Sequence, residues 1–201
     1  MKVGLYFGTY NPIHIGHLII ANHMTENSEL DQIWLVVSPQ NPLKKKATLL
    51  ADYHRLALVE RAVESNNKLK ASNIEFSLPI PSYTVDTLTY IQEKHPDHDF
   101  SIIMGEDNLR TLHKWKNHQQ ILKNHNIYVY PRALTQQELM EGSSKKETPF
   151  KNHPKITITN SPVMKISASF IRSAIKQKKD VRYLLSEPVY KYLSEMNFYK
   201  K

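Results

Sequence analysis

Residues 3–18 read Val3-Gly4-Leu5-Tyr6-Phe7-Gly8-Thr9-Tyr10-Asn11-Pro12-Ile13-His14-Ile15-Gly16-His17-Leu18, and this stretch decides the predicted fold. Its first five residues are an apolar run typical of a buried β-strand. Turn-forming residues follow at Gly8, Asn11 and Pro12, since Gly tolerates positive φ and Pro fixes φ. A helical pattern then runs from Ile15 to about His23. Strand, tight turn and helix form the first step of a βαβ unit, whose turn faces the ligand crevice.

His14 and His17 lie three residues apart, so they share one side of the first helical turn. The free N–H groups of a helix start favour anions, and two imidazoles there suit a phosphate group. The helix end should lower both pKa values, which predicts neutral donors that become cationic when an anion arrives. Gly16 should let a ligand approach the backbone. Helix capping and packing are the alternative roles, and a metal site lacks a third ligand at a recognisable spacing.

Composition narrows the class of protein. The chain has 201 residues without cysteine, which excludes disulfides, zinc–thiolate sites and thiol nucleophiles and fits a reducing cytoplasm. We expect a single domain over residues 1–201, with neither a membrane span nor a secretory signal. The formal net charge of +8 suits an anionic partner such as a nucleotide or an acidic metabolite. No nucleic-acid-binding signature appears in the sequence, and a generally lysine-rich surface is the alternative.

The rest of the chain predicts alternating strands and helices. The predicted strands span residues 32–38, 71–77, 99–105, 126–132 and 155–159. The predicted helices span residues 52–65, about 84–94, 135–140 and about 168–177, with a last helix that ends near Met196. Ser82 or Thr84 could cap the helix near 84. In the 52–65 helix, Arg55 is expected on a mixed polar side, opposite an apolar stripe that contains Val59.

A second candidate anion site is Lys165-Ile166-Ser167-Ala168-Ser169-Phe170-Ile171-Arg172. Ser167 is a predicted N-cap, while Ile171, Ala174 and Ile175 should face the core. Exposed N–H groups, two hydroxyls and an arginine at one helix start can bind an anion. Taken alone this pattern is weak, because serine-capped helices with an arginine are common.

The opening stretch resembles the G-x-[FY]-[DN]-P-x-H-x-G-H signature of the nucleotidyltransferase superfamily, and residues 165–172 resemble that superfamily's second phosphate motif. Phe7 stands where the family often has a first glycine. Asn11 stands at the position before Pro that is commonly acidic, and keeps its turn-forming capacity. The superfamily joins a nucleotide to a phosphate acceptor and releases pyrophosphate.

Three further stretches are similar to the nicotinate-nucleotide adenylyltransferase branch. They are Pro81-Ser82-Tyr83-Thr84-Val85-Asp86-Thr87-Leu88, Ile102-Ile103-Met104-Gly105-Glu106-Asp107-Asn108-Leu109 with Trp115 downstream, and Leu184-Leu185-Ser186-Glu187-Pro188-Val189. The resemblance implies that Tyr83 and Thr84 line the pyridine carboxylate pocket. It also implies that Trp115 stacks on the nicotinate ring and that backbone near Lys116 helps to bind the carboxylate. Helix capping is the alternative for the residues around Thr84 and for Asp107, and core or rim packing is the alternative for Trp115.

Lysines in the loop after the second predicted strand are phosphate candidates. Related enzymes often carry Pro-Pro-His-Lys there, whereas this chain has Pro42-Leu43-Lys44-Lys45. We assign Lys44 to the acceptor nucleotide, although the choice among Lys44, Lys45 and Lys46 stays open. Solvated loop charge is the alternative.

The resemblance implies a Rossmann-like, doubly wound α/β fold with a mainly parallel five- or six-stranded sheet and a C-terminal helical segment. The implied reaction transfers AMP from ATP to nicotinate mononucleotide. His14, His17 and Arg172 are the implied catalytic residues, and Mg²⁺ is expected with ATP rather than in a protein cage. The implied ATP site comprises Gly8, Thr9, Tyr10, His14, His17, Gly105, Asp107, Ser167, Phe170 and Arg172. Nicotinamide mononucleotide, another phosphate acceptor and a non-catalytic nucleotide-binding module remain alternatives, and a homo-oligomer is left open.

Overall fold

The computed structural model of the chain describes residues 1–39, 49–133, 150 and 152–200. Within these residues, six strands form one parallel sheet: β1 (Lys2–Gly8), β2 (Gln32–Val37), β3 (Leu69–Ser72), β4 (Asp99–Gly105), β5 (Ile127–Tyr130) and β6 (Ile156–Ile158). The helices of the described residues are α1 (Ile15–Asn27), α2 (Asp52–Val63), α3 (Thr84–Lys94), α4 (Glu106–Thr111), α5 (His118–Asn124), α6 (Ala168–Lys176) and α7 (Glu187–Glu195). The predicted helix at residues 135–140 lies outside the described residues.

The strand order is β3-β2-β1-β4-β5-β6, so the direction of winding reverses between β1 and β4. This order confirms the predicted doubly wound fold, in which ligands bind beyond the carboxyl ends of the strands at the reversal point. Tyr6 of β1 lies opposite Ile103 of β4, so both strands end at the same level of the sheet. Their last residues are Gly8 and Gly105.

Two apolar clusters cover the two faces of the sheet. One cluster joins α1, α2, α6 and α7 to the sheet, and it contains the buried Ile20, Leu58, Ile171 and Val189. The other joins α3, α4 and α5 to the opposite face. Because both faces are covered, β1 and β4 are apolar at nearly every position, as the sequence pattern predicted. None of the helices in the described residues is long and apolar enough to cross a membrane.

The third strand is shorter than predicted. A strand was expected over residues 71–77, whereas β3 ends at Ser72 and residues Ile74–Ser77 form a short 3₁₀ helix. The last pairing in register is Val36 with Ser72, and β2 ends one residue later. Because β2 ends there, a longer β3 would have no backbone hydrogen-bond partner in β2. The residues that follow, Ile74–Ser77, therefore form the 3₁₀ helix.

The position of Arg55 also differs from the prediction. Its side chain was expected on the polar side of α2, yet it is completely buried. The exposed polar side of the helix contains Glu60 instead, while Leu58 and Val59 pack into the core beside Arg55.

Candidate active site

A cavity of about 400 Å³ lies at the carboxyl ends of β1 and β4, where the winding reverses. Eight of the predicted ATP-site residues line it, namely Gly8, Thr9, Tyr10, His14, His17, Asp107, Ser167 and Arg172. Gly105 and Phe170 do not line the cavity. The ring of Phe170 is largely exposed, and the backbone N–H of this residue donates to Ser167 Oγ at 3.2 Å.

Tight packing shapes the turn after β1. The positive φ of this turn belongs to Tyr10, at 44°, and not to Gly8 as the sequence suggested. The Tyr10 ring is buried, and its hydroxyl donates to the Tyr6 carbonyl at 2.5 Å. A Cβ on Gly8 would lie 2.7 Å from Cζ of that ring. Gly8 therefore makes room for Tyr10, which leaves only the backbone of Tyr10 available to a ligand.

The His17 ring is oriented by the backbone of the turn. The His14 N–H donates to His17 Nδ1 at 3.2 Å. A neutral imidazole with Nδ1 as acceptor carries its proton on Nε2. His17 lines the cavity, so this tautomer can offer an Nε2–H donor to an anionic ligand.

His14 is held neutral at pH 7. Burial of the ring lowers its pKa to about 4, whereas the prediction from sequence relied on the helix end. Its ring stacks on His17 with centroids 3.8 Å apart, and its Nδ1 has no hydrogen-bond partner among the described residues. A Cβ on Gly16 would lie 3.1 Å from that Nδ1. The missing side chain at Gly16 makes room for the His14 ring, and Gly16 itself lines the cavity.

The second motif meets the first at Asn11. Ser167 caps α6, as predicted, and Arg172 lies in the second turn of that helix. Arg172 Nη1 donates to the Asn11 carbonyl at 2.7 Å, across 161 residues of sequence. The guanidinium also donates to Ser169 Oγ at 3.2 Å, which orients it beside the cavity.

Asn11 has a larger role than a turn residue. Its Oδ1 accepts from the Leu50 N–H at 3.2 Å and from the Tyr199 hydroxyl at 2.6 Å. Both donors would suit the carboxylate common at this position in the family, so the amide keeps the same two contacts. Tyr199 was missed from sequence, because nothing in its local pattern indicates a contact with residue 11.

Asp107 forms an ion pair with Arg132, and both side chains line the cavity. A Cβ on Gly105 would lie 2.5 Å from Asp107 Oδ1, so the absence of a side chain at 105 makes room for the carboxylate. Gly105, not Asp107, is the N-cap of α4, so the capping alternative for Asp107 is wrong. Arg132 adds a cation that the sequence reading did not include.

The predicted acceptor residues Tyr83, Thr84, Trp115 and Lys116 do not line this cavity. Lys116 Nζ lies 2.9 Å from an Asp86 carboxylate oxygen and 4.9 Å from the centroid of the Tyr83 ring. Trp115 packs against the second apolar cluster. The N-cap of α3 is Tyr83, without a side-chain capping bond, so the predicted caps Ser82 and Thr84 are wrong. Lys44 lies outside the described residues.

Metal ligands do not cluster in the part of the chain that the structure describes. No group of three or more His, Asp or Glu residues there could hold a metal ion. Among the described residues that line the cavity, Asp107 is the one carboxylate, and it is paired with Arg132.

A family model and full-length relatives both match this chain. A family model described as cytidylyltransferase-like matches residues 5–174. Proteins named "Probable nicotinate-nucleotide adenylyltransferase" from Flavobacterium psychrophilum and Flavobacterium johnsoniae are 59% and 57% identical over 201 residues, which is 100% of each chain.

Among solved structures, the nicotinic acid mononucleotide adenylyltransferase of Plasmodium falciparum complexed with NaAD superimposes with a TM-score of 0.76. It is 18% identical and is matched over 99% of this chain and 97% of its own, so it supports the fold. By motif, fold and full-length identity, this chain belongs to the cytidylyltransferase-like family and, within it, to the nicotinate-nucleotide adenylyltransferases.

Proposed function

We propose that this protein transfers AMP from ATP to nicotinate mononucleotide, which yields nicotinate adenine dinucleotide and pyrophosphate. The observation that carries the proposal is the contact between the two phosphate motifs, where Arg172 donates to the Asn11 carbonyl at 2.7 Å. This contact brings imidazoles, a helix start and a guanidinium to one cavity at the reversal point of the sheet. Full-length relatives that bear the name of this activity support the same reaction.

The chemistry requires no protein nucleophile. A phosphate oxygen of nicotinate mononucleotide attacks the α-phosphorus of ATP, and the bond from the α-phosphorus to the α,β-bridging oxygen breaks. That oxygen leaves with the bonding electrons as part of pyrophosphate. The attacking phosphate is already anionic at neutral pH, so catalysis consists of positioning and of stabilising charge.

Each phosphate-binding residue receives a distinct proposed role. His17, with its Nε2–H, stabilises charge between the α- and β-phosphates as the bridging bond breaks. His14 binds phosphate and orders the turn. Ser167 and Arg172 hold the β- and γ-phosphates that become the leaving group, while Thr9 and Tyr10 contact the nucleotide through their backbone.

Mg²⁺ fits this site as a companion of ATP. The described residues offer no cluster of ligands for a resident ion, and Mg²⁺ generally keeps several waters and binds substrate phosphates. When bound, the ion supplies positive charge to the phosphate oxygens. Among the described residues that line the cavity, Asp107 supplies the carboxylate for holding the ion or for binding a ribose hydroxyl.

The acceptor site is assigned to Tyr83, Thr84, Trp115 and Lys116, together with Lys44. The Lys116 ammonium is paired with Asp86, which favours the backbone near Lys116 over its side chain as the group that binds the pyridine carboxylate. Tyr83 is 39% exposed at the start of α3, so part of its ring, which also contacts the Lys116 ammonium, can face the acceptor.

Pyrophosphate release tests the proposal. Purified protein is given ATP and Mg²⁺ with nicotinate mononucleotide, nicotinamide mononucleotide or phosphopantetheine in separate reactions. We expect strong preference for the acid form of the pyridine nucleotide. Preference for the amide would keep the chemistry and overturn the carboxylate pocket. Binding of ATP without pyrophosphate release from any acceptor would overturn the enzymatic assignment in favour of a nucleotide-binding module.

A further inference from the structure

Arg55 is an arginine with no solvent exposure, and its environment satisfies every donor that it has. A guanidinium carries five N–H groups. In α2, Nε donates to Leu50 O at 3.0 Å, and Nη1 donates to Thr9 O and Ser38 O at 2.7 Å each. Nη2 donates to Pro39 O at 3.2 Å and to Asp52 Oδ1 at 2.5 Å. Four of these five acceptors are backbone carbonyls.

The carbonyls come from three separate places in the chain. Thr9 follows β1, Ser38 and Pro39 follow β2, and Leu50 precedes α2. Ser38 and Pro39 lie before residues 40–48, and Leu50 lies after them. One buried side chain therefore joins both flanks of that segment to the turn after β1.

Stability alone does not explain such an arrangement. A buried charge costs free energy that its partners must offset, and packed apolar side chains often do as well or better. The ion pair with Asp52 adds little, because that carboxylate is 42% exposed and exposed ion pairs contribute weakly. An apolar side chain could not hold three loops at fixed distances from one another, because it cannot donate hydrogen bonds to their carbonyls.

The contacts of Arg55 continue to the phosphate motifs. Thr9 lines the cavity. Leu50, whose carbonyl binds Arg55, donates its N–H to Asn11 Oδ1 at 3.2 Å. Asn11 in turn accepts from Arg172. Arg55 itself does not line the cavity.

We propose that Arg55 is a positioning residue for adenylyl transfer. It fixes the Thr9–Asn11 turn against the chain on both flanks of residues 40–48, so that the ATP phosphates and the acceptor meet in line. The inference rests on the proposed function for the identity of the reaction, but its effect on ATP binding does not depend on the acceptor. It acts through the turn and touches no reacting atom.

The test compares three purified full-length variants. Arg55→Lys keeps the charge but has three donors in place of the planar fork. Asp52→Asn removes the ion pair and leaves the four carbonyl contacts. Leu58→Ala, one turn further along α2 and fully buried, is the matched control for lost stability, because a leucine side chain makes no hydrogen bond to the loops. The readouts are kcat, KM for ATP and for nicotinate mononucleotide, Tm, and the rise in Tm caused by saturating ATP.

We expect Arg55→Lys to lose about tenfold to a hundredfold in kcat/KM for ATP, in line with a misplacement of about 1 Å, and to lose most of the Tm rise with ATP. Asp52→Asn should keep kcat/KM for ATP and the Tm rise with ATP within about twofold of wild type, because exposed ion pairs contribute weakly. Leu58→Ala should lower Tm and leave KM and kcat unchanged at a temperature where it is folded. If Arg55→Lys behaves like Leu58→Ala, Arg55 only stabilises the fold and the proposal is wrong.

If Arg55→Lys does not fold, hydrogen–deuterium exchange on the wild-type protein tests the positioning role instead. Positioning predicts that ATP protects the amides of Thr9–Asn11 and of Leu49–Ala51 together. Protection confined to the turn after β1 would overturn the proposal. If wild type shows an ATP-dependent Tm rise but releases no pyrophosphate, the proposed reaction fails while the Tm comparison still decides the role of Arg55.

Discussion

Two stacked imidazoles at the start of α1 have different surroundings and therefore different chemistry. His14 is 6% exposed, and burial lowers its pKa to about 4, so it is neutral at pH 7. His17 accepts the His14 N–H on Nδ1, which leaves Nε2 as its donor. The H-x-x-H spacing predicted that the rings share one side of the helix. It could not predict which nitrogen carries the proton, because the backbone of the turn decides that.

Replacement of His17 by alanine should lower kcat by ~10²-fold or more, which is the usual loss when one transition-state donor is removed. Tm should fall by only a few degrees, because the His17 ring lines the cavity but accepts one backbone hydrogen bond. Steady-state pyrophosphate release with ATP varied at saturating acceptor measures the effect.

His23→Ala, near the other end of the same helix, is the control and should keep wild-type kcat. A His17→Ala enzyme with unchanged kcat and a raised KM for ATP would show that His17 binds the ground state as well as the transition state.

At the scale of elements, the turn after β1 is held from outside by side chains that are remote in sequence. Arg172 of α6 binds the Asn11 carbonyl, and Tyr199, beyond α7, binds the Asn11 side chain. The Tyr199 hydroxyl is largely buried, and this burial raises its pKa, so it remains a protonated donor. Tyr199 does not line the cavity, but it holds the side chain of Asn11, which does.

The Tyr199→Phe variant should show how much this contact contributes. Loss of one hydrogen bond should lower the free energy of unfolding by about 1 kcal/mol. KM for ATP should rise several-fold, because Asn11 would lose one of the two donors to its Oδ1. Chemical denaturation and initial-rate kinetics measure the two effects.

Tyr183→Phe is the matched control, because Tyr183 is 90% exposed. It should leave both quantities at wild-type values. Equal results for the two variants would mean that the Tyr199 hydroxyl bond does not support the site.

At the scale of the whole molecule, burial of histidines links stability to pH. Burial lowers the pKa of His14, His95 and His125 below the ordinary value. As the pH falls below about 6.5, the unfolded chain takes up protons at these rings before the folded protein does. The free energy of unfolding therefore decreases on acidification, and for His14 the loss is complete below a pH of about 4.

Protonation of His14 can lower the free energy of unfolding by about 3 kcal/mol. Its pKa falls from 6.5 in the unfolded chain to about 4 in the folded protein, and each pKa unit corresponds to about 1.4 kcal/mol. We expect His14→Asn to flatten the dependence of unfolding free energy on pH between 6.5 and 4. Urea denaturation at several pH values measures it. His113→Asn, at an exposed position, is the control and should keep the wild-type slope of unfolding free energy against pH. If His14→Asn has the same slope as His113→Asn, the prediction is wrong.

The sequence by itself determined the alternation of strands and helices, the buried character of the central strands and the two phosphate motifs. These features are local: apolar runs, turn residues and capping serines act on neighbouring residues, so a linear reading can recover them. The resemblance to a known family extended the reading to a reaction. The assigned roles of individual residues remain predictions.

Only the tertiary structure decided what holds the motifs together. Arg55 resembled a surface residue of an amphipathic helix, although its spacing to Leu58 and Val59 places it on their face of α2. The carbonyls of Thr9, Ser38 and Pro39 determine its burial, and they become neighbours only when two parallel strands end side by side. The same holds for the contact of Tyr199 with Asn11, 188 residues away. Hydrogen bonds between distant loops depend on three-dimensional positions that no local propensity encodes.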